Sequence, residues 1–259
     1  MAPPTLSEIK TPSETILRWA TRQDIPAIAK VLHANLLEFE LHDHFARDRK
    51  ARSDEFYVFV LYRVRNFFVA PRVRYMVAER TNVSTSGVHQ TGQIVGFAAW
   101  DAQGDDNPIA VEWSRLSSGW MASLERSLVQ WELFHHRYFQ SDVVNYADLD
   151  RCIDLLHASY ESLPSLKANM HLQFLMVDPA WQRGHGIGHR LLQWGLDVAG
   201  QLNLPVVLES SLMGYEFYLK HGFRCLTKVH INVNPEKAYD MPIVLWEPPS
   251  PVGHYLRGG

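Results

Sequence analysis

The sequence predicts a mixed α/β fold on one central sheet of about seven strands, and two observations carry that expectation. From His171 onward, apolar runs and amphipathic segments succeed one another as strand, helix, strand, helix, then two strands. Upstream, the β-rich runs Arg74–Glu79 and Gln93–Trp100 flank a polar Ser/Thr/Gly stretch and read as an antiparallel hairpin with a loose tip.

The elements follow in order. Thr15–Thr21 reads as a short first strand. Asp24 then caps a helix in which Ile25, Ile28, Ala29, Val31, Leu32 and Leu36 recur at helical spacing, with Pro26 in the first turn. Glu38–Lys50, rich in His, Phe and acids, is a second helix or a loop; Asp54–Phe68 is helical and ends before Pro71. The segment 101–170 interrupts the pattern before the fourth strand. Asp101–Pro108 reads as loop. Trp120, Leu124, Leu128 and Trp131 form one helical stripe, and Leu149, Cys152, Ile153, Leu156 and Tyr160 form another. Two inserted helices, closed at Leu163-Pro164, are expected, with their stripes in the core. His171–Val177 is the next strand, Gly186–Leu202 an amphipathic helix, and Val206–Glu209 a further strand. Met213–His221 is a short helix stopped by Gly222, and Phe223–Val233 and Ile243–Trp246 are the last strands. Helices cover both faces of such a sheet.

Length and composition bound the function. The 259 residues suit one domain over 13–247, the insertion at 101–170 included, between mobile tails at 1–12 and 248–259. A net charge of −3 and the lack of a basic arm argue against a nucleic-acid partner. Cys152 and Cys225 lack metal-ligand spacing, so no metal site is expected, and a reduced, cytoplasmic setting is the simpler reading. The Pro/Ser-rich start does not read as a signal peptide. No apolar run approaches the ~20 residues of a membrane span, so no membrane partner is expected. A monomer or a homodimer fits equally.

The most informative stretch is Val177-Asp178-Pro179-Ala180-Trp181-Gln182-Arg183-Gly184-His185-Gly186-Ile187-Gly188. It joins a strand to a helix through a turn with glycines at alternate positions. That spacing fails the dinucleotide fingerprint, and the turn lacks the Lys-Ser/Thr of a P-loop. One glycine suffices for a plain strand-to-helix turn. Three, beside Arg183 and with no acid within the turn, suggest a cradle of backbone N–H groups for an anion at a helix N-terminus.

Arg183-Gly184-His185-Gly186-Ile187-Gly188 resembles the R/Q-x-x-G-x-G/A motif of the GNAT superfamily of N-acetyltransferases. The Val-x-Pro sequence before it, the Leu-Leu after it, and Tyr218-Leu219-Lys220-His221-Gly222-Phe223 downstream also look like family elements. The resemblance runs from about Ser13 to Glu247; the helical segment between Trp100 and His171 departs from a minimal member. It implies a sheet splayed in its middle and acetyl-CoA as co-substrate. The backbone of Arg183, Gly184, His185, Gly186, Ile187 and Gly188 would hold the coenzyme A pyrophosphate. Pantetheine would lie along the open edge of the strand ending Leu175-Met176-Val177.

The implied reaction is direct transfer of an acetyl group to a primary amine in a ternary complex, with a small-molecule amine as the first choice of acceptor. Protein or peptide N-acetylation, and a non-catalytic acyl-CoA-binding protein, are the alternatives. Tyr218 stands where similar enzymes place a tyrosine near the sulfur, and a phenol can protonate the leaving thiolate; its other reading is packing between helix and sheet. His171 is a candidate base, because some similar enzymes that acetylate arylalkylamines carry histidines on this strand; a strand-end surface histidine is the other reading. Glu209, at the mouth of the splay, is the second candidate base, or else a solvated carboxylate. His171, Gln173, Leu175 and Val177 are expected on one face of their strand by simple alternation.

Overall fold

The computed structural model describes residues 13–82, 92–160, 163, 166–234 and 237–249. In chain order the main elements are β1 (Ser13–Trp19), α1 (Ile25–Glu38), α2 (Ser53–Val69), β2 (Val73–Asn82), β3 (Gln93–Gln103), α3 (Pro108–Leu116), α4 (Trp120–His135), α5 (Tyr146–Ala158), β4 (Asn169–Val177), α6 (Ile187–Leu202), β5 (Val206–Glu209), α7 (Leu212–Lys220), β6 (Arg224–Asn234) and β7 (Lys237–Trp246). The seven strands form one mixed sheet in the order β1-β2-β3-β4-β5-β7-β6. The tip of the β2–β3 hairpin, the closure at Leu163-Pro164 and the tails lie wholly or in part outside the described residues.

Apolar periodicity places a core on each face. On one, Ile28 and Leu32 of α1, Phe56 and Val60 of α2, and Leu149, Cys152 and Leu156 of α5 pack on Tyr75, Phe97 and Val207. On the other, Leu191, Leu192, Leu196 and Ala199 of α6, with Trp113 of α3 and Tyr218 of α7, pack on Trp100, Met170 and Leu208. Asp24 precedes α1 as expected but makes no capping bond; its carboxylate takes two hydrogen bonds from Arg18 at 2.8 Å and one from the Thr21 N–H at 2.7 Å.

The insertion differs from expectation in two ways. It holds three helices rather than two. Asn107 accepts from the N–H groups of Ile109 and Ala110, and Pro108 follows in the first turn, so the end of a presumed loop starts α3. The α4 stripe is not core: Trp120 is 75% and Trp131 64% exposed, whereas Trp113 is buried. Spacing reports that a helix has an apolar face, not that something covers it.

The centre of the sheet sets up the site. β4 and β5 are parallel and pair only at Met170↔Val206 and His171↔Val207. β5 continues along β7 through all four of its residues, so β4 leaves β5 beyond His171 and the sheet splays there. β4 also carries a bulge. Ala99 of β3 opposes Phe174 and Trp100 opposes Leu172, which leaves Gln173 as the extra residue. Simple alternation along β4 therefore fails. Met170, Leu172, Leu175 and Val177 face the α6 side, while Phe174 and Met176 join the α1–α2–α5 side.

Candidate active site

At the foot of the splay, His171 and Glu209 meet. His171 Nε2 and Glu209 Oε2 are 2.8 Å apart, and the Tyr160 hydroxyl donates to Glu209 Oε1 at 2.7 Å. The Gln173 side-chain amide lies 2.8 Å from His171 Nδ1. That amide offers both an N–H donor and an oxygen, so it satisfies Nδ1 in either tautomer of the imidazole. The bulge brings Gln173 onto the His171 side, and Tyr160, just beyond the end of α5, closes the cluster from above.

The two members differ in access. His171 is fully buried, which excludes the surface-histidine reading, whereas Glu209 is half-buried. Burial raises the Glu209 pKa, but the His171 charge and hydrogen bond, then the Tyr160 hydrogen bond, outweigh it and hold the carboxyl at about 2. With the imidazole neutral, the pair is a carboxylate with a proton acceptor behind it, and one added proton makes it the imidazolium–carboxylate ion pair whose charge holds Glu209 low.

Tyr218 lies across the sheet. It belongs to the α6-side core, with its ring edge-on to Phe217 and Phe223 at centroid distances of 5.3 and 5.5 Å. A Cβ on Gly214 would stand 3.4 Å from the Tyr218 ring and 3.6 Å from Ser210 Oγ, so the tyrosine sits over the turn that ends β5. Burial pushes its pKa up, and the hydroxyl keeps its proton at neutral pH. The candidate acid and the candidate base thus stand on opposite faces of the sheet.

Beyond the two β4–β5 pairs, residues 173–177 of β4 are half-buried, and Leu175, Met176 and Val177 border the gap with no β5 partner. The strand ends where Asn35 and Gln182 side chains donate to the Val177 carbonyl at 3.1 and 3.2 Å. The glycine turn follows. Gly184 and Gly186 have φ of +80° and +63°, and a Cβ on either would meet nothing within 4 Å. Gly186 is the N-cap of α6, no side chain caps that end, and its first turn holds no acid. The leading N–H groups of α6, from Ile187 and Gly188, therefore lack helical partners and face open space beside bare backbone. Arg183 and His185 are exposed around this turn. Such a terminus fits a phosphate or pyrophosphate.

The geometry joins an anion-accepting helix terminus, an unpaired strand edge, and a proton-accepting pair at the foot of that edge. Residues 158–244 match the family model described as an acetyltransferase (GNAT) domain. The fold is shared over nearly the whole chain with a solved structure described as histone acetyltransferase HPA2 and related acetyltransferase from Corynebacterium glutamicum. The TM-score is 0.51 at 18% identity, covering 91% of this chain and 97% of that one. Residues 158–244, about a third of the chain, are thus similar to the GNAT acetyltransferase domain, and the fold is of that kind.

Two curated relatives are similar over shorter stretches. The probable acyltransferase SID5 of Ajellomyces capsulatus is 46% identical over 50 residues, 19% of this chain and 37% of that protein. The uncharacterized N-acetyltransferase C56E4.07 of Schizosaccharomyces pombe is 32% identical over 96 residues, 36% of this chain and 40% of that protein. The matched stretches thus span about two fifths of the relatives' lengths.

Proposed function

We propose that the chain transfers an acetyl group from acetyl-CoA to a primary amine of a small molecule, directly, within a domain spanning 13–247. The observation that carries this reading is the open stretch of β4, bounded by the uncapped α6 terminus at one end and the His171–Glu209 pair at the other. The names of the two curated relatives support acyl transfer as the class of reaction.

Acetyl-CoA supplies an activated thioester. The turn from Arg183 to Gly188 binds its pyrophosphate through backbone N–H groups, and Leu175, Met176 and Val177 give the pantetheine arm a strand edge to lie against. Glu209 is the accessible member of the basic pair. It takes the ammonium proton of the acceptor, directly or over one water, and His171 Nε2 then holds that proton as imidazolium beside the carboxylate. Tyr160 fixes the second carboxylate oxygen and is a positioning residue. The neutral amine attacks the thioester carbonyl, the C–S bond breaks, Tyr218 gives its proton to the departing sulfur, and the second proton shed by the attacking nitrogen restores the Tyr218 phenol.

Calorimetry with acetyl-CoA, NAD and ATP tests the donor; failure of acetyl-CoA to bind removes the reading. A thiol-release assay across an amine panel tests the transfer, and tight acetyl-CoA binding with no turnover above hydrolysis would favour a non-catalytic binder.

A further inference from the structure

Arg63 of α2 lies on the same side of the sheet as the His171–Glu209 pair and has no counter-charge among the described residues. Its guanidinium carbon lies 5.5 Å from the Phe67 ring centroid and 5.9 Å from that of Phe174. Among the described residues it forms no ion pair and no hydrogen bond. The contrast is Arg49, the fully engaged buried arginine, which donates to the carbonyls of Leu36, Leu37, Phe39 and Ala46 and to the Asp43 carboxylate.

The titratable groups within reach of Arg63 are neutral. Burial pushes Tyr75 of β2 far up, Tyr146 of α5 up to about 12 and Cys152 of α5 up to about 11. His42, in the loop after α1, is pushed down to about 3 by burial and then by the Arg63 and Arg49 charges. The Tyr75 hydroxyl is buried and has no hydrogen-bond partner. Tyr75, Ala99 and Phe174 form one row across β2, β3 and β4, with the small Ala99 between the two aromatic rings. A guanidinium and a phenol therefore stand over one patch of sheet as donors, with no acceptor for them among the described residues. Arg63 itself is half-buried, and an arginine so placed is best satisfied when an anion completes it.

Phe174 is three residues along β4 from His171, roughly 10 Å at the rise of a strand. We propose that Arg63 binds a carboxylate on the acceptor, so that the acceptor is an amino carboxylate whose amine reaches the splay while its acid end docks on Arg63 and Tyr75. This rests on the acetyl-transfer reading above and narrows its substrate class. Phe67 and Phe174 flank the half-buried guanidinium and screen it in part from water, which strengthens a charge-assisted hydrogen bond.

The experiment compares 4-aminobutyrate and 6-aminohexanoate with butylamine and hexylamine at saturating acetyl-CoA. The expected KM is about ten- to a hundredfold lower for the amino acids, the usual worth of a charged hydrogen bond. Arg63→Met should abolish that preference through KM alone, leaving alkylamine turnover unchanged, and Arg63→Lys should retain part of it. Equal KM values in the wild type, or equal losses for both kinds of amine in a folded Arg63→Met, would overturn the proposal. So would an Arg63-dependent preference for succinyl-CoA over acetyl-CoA, because the carboxylate would then belong to the donor. If no amine is acetylated, the transfer reading fails separately. The carboxylate site is then read by calorimetry of 6-aminohexanoate against coenzyme A-saturated protein. Binding weakened in Arg63→Lys and lost in Arg63→Met supports the site, and no binding, or binding unchanged in Arg63→Met, overturns it.

Discussion

His171 and Glu209, 38 residues apart in the chain, share a hydrogen bond of 2.8 Å where β4 and β5 part. Because the carboxylate is left buried when its partner is removed, His171→Gln should destabilise the fold by about 3–5 kcal/mol. Glu209→Gln leaves a neutral imidazole and should cost only about 1–3 kcal/mol. Urea denaturation of the two variants and their double mutant measures the coupling. Equal costs for the two single variants would mean that stranding the carboxylate carries no extra penalty.

The same pair sets a pH dependence. The Glu209 carboxyl is held at about 2, below its ordinary 4.5, so it contributes stability that is complete above about pH 4.5 and is lost as pH falls toward 2. Unfolding free energy of the wild type should therefore fall more steeply across that window than that of Glu209→Gln. At neutral pH, Glu209→Gln should also lower kcat/KM about a hundredfold without weakening acetyl-CoA binding. Parallel acid-unfolding curves would remove the stabilising role, and wild-type turnover would remove the basic one.

Tyr218, the acid of the proposed reaction, lies on the other face of the sheet, where burial keeps its hydroxyl protonated. Tyr218→Phe keeps the ring packed against Phe217 and Phe223 and deletes only the proton. It should reduce kcat by about 10²-fold or more, with acetyl-CoA affinity within about twofold. A kcat equal to wild type would assign Tyr218 to packing alone.

Much of this architecture is legible in the sequence, for physical reasons that also define where reading stops. The turn from Arg183 to Gly188 is local chemistry: left-handed backbone and a helix start are written in adjacent residues. Strand and helix periods gave the order of elements. The bulge at Gln173 is set by pairing with β3, so it breaks an alternation that the strand alone suggests. His171 and Glu209 were each visible as candidates, but their contact depends on where two parallel strands diverge. Tyr160 is legible as one more member of an apolar stripe, although a phenol on such a stripe signals a polar end in need of a partner. Arg63 carries no local signal, because the lack of a counter-ion is a property of the packed fold.

Gly186 tests the cradle separately from the chemistry. Its φ of +63° strains any other residue, yet a Cβ there would touch nothing in the protein. Gly186→Ala should cost about 1–2 kcal/mol of stability from the backbone alone. The added methyl stands where an anion would approach, so acetyl-CoA affinity should fall about tenfold or more, which is 1.4 kcal/mol or above. Thermal unfolding and calorimetry measure the two quantities independently. Unchanged affinity in a folded variant would move the pyrophosphate elsewhere.

Gly195 tests whether the cradle depends on how α6 is seated. A Cβ at Gly195 would lie 2.1 Å from the ring of Trp100, a fully buried side chain at the centre of the second core. Helix α6 can therefore rest on β3 only because this position lacks a side chain. Gly195→Ala should destabilise by about 1–3 kcal/mol through overpacking. Lifting α6 also displaces the N–H groups at its first turn, so acetyl-CoA affinity should fall as well, although residue 195 lies more than two helical turns from Gly186. Trp100→Phe shortens the ring on that side, and the Trp100 Nε1 is buried with no partner, so the change forfeits no hydrogen bond. Combined with Gly195→Ala, it should restore part of both the stability and the affinity. A double mutant whose losses simply add would show that the Trp100–Gly195 contact does not seat the helix, and the anion site would then owe its geometry to the turn alone.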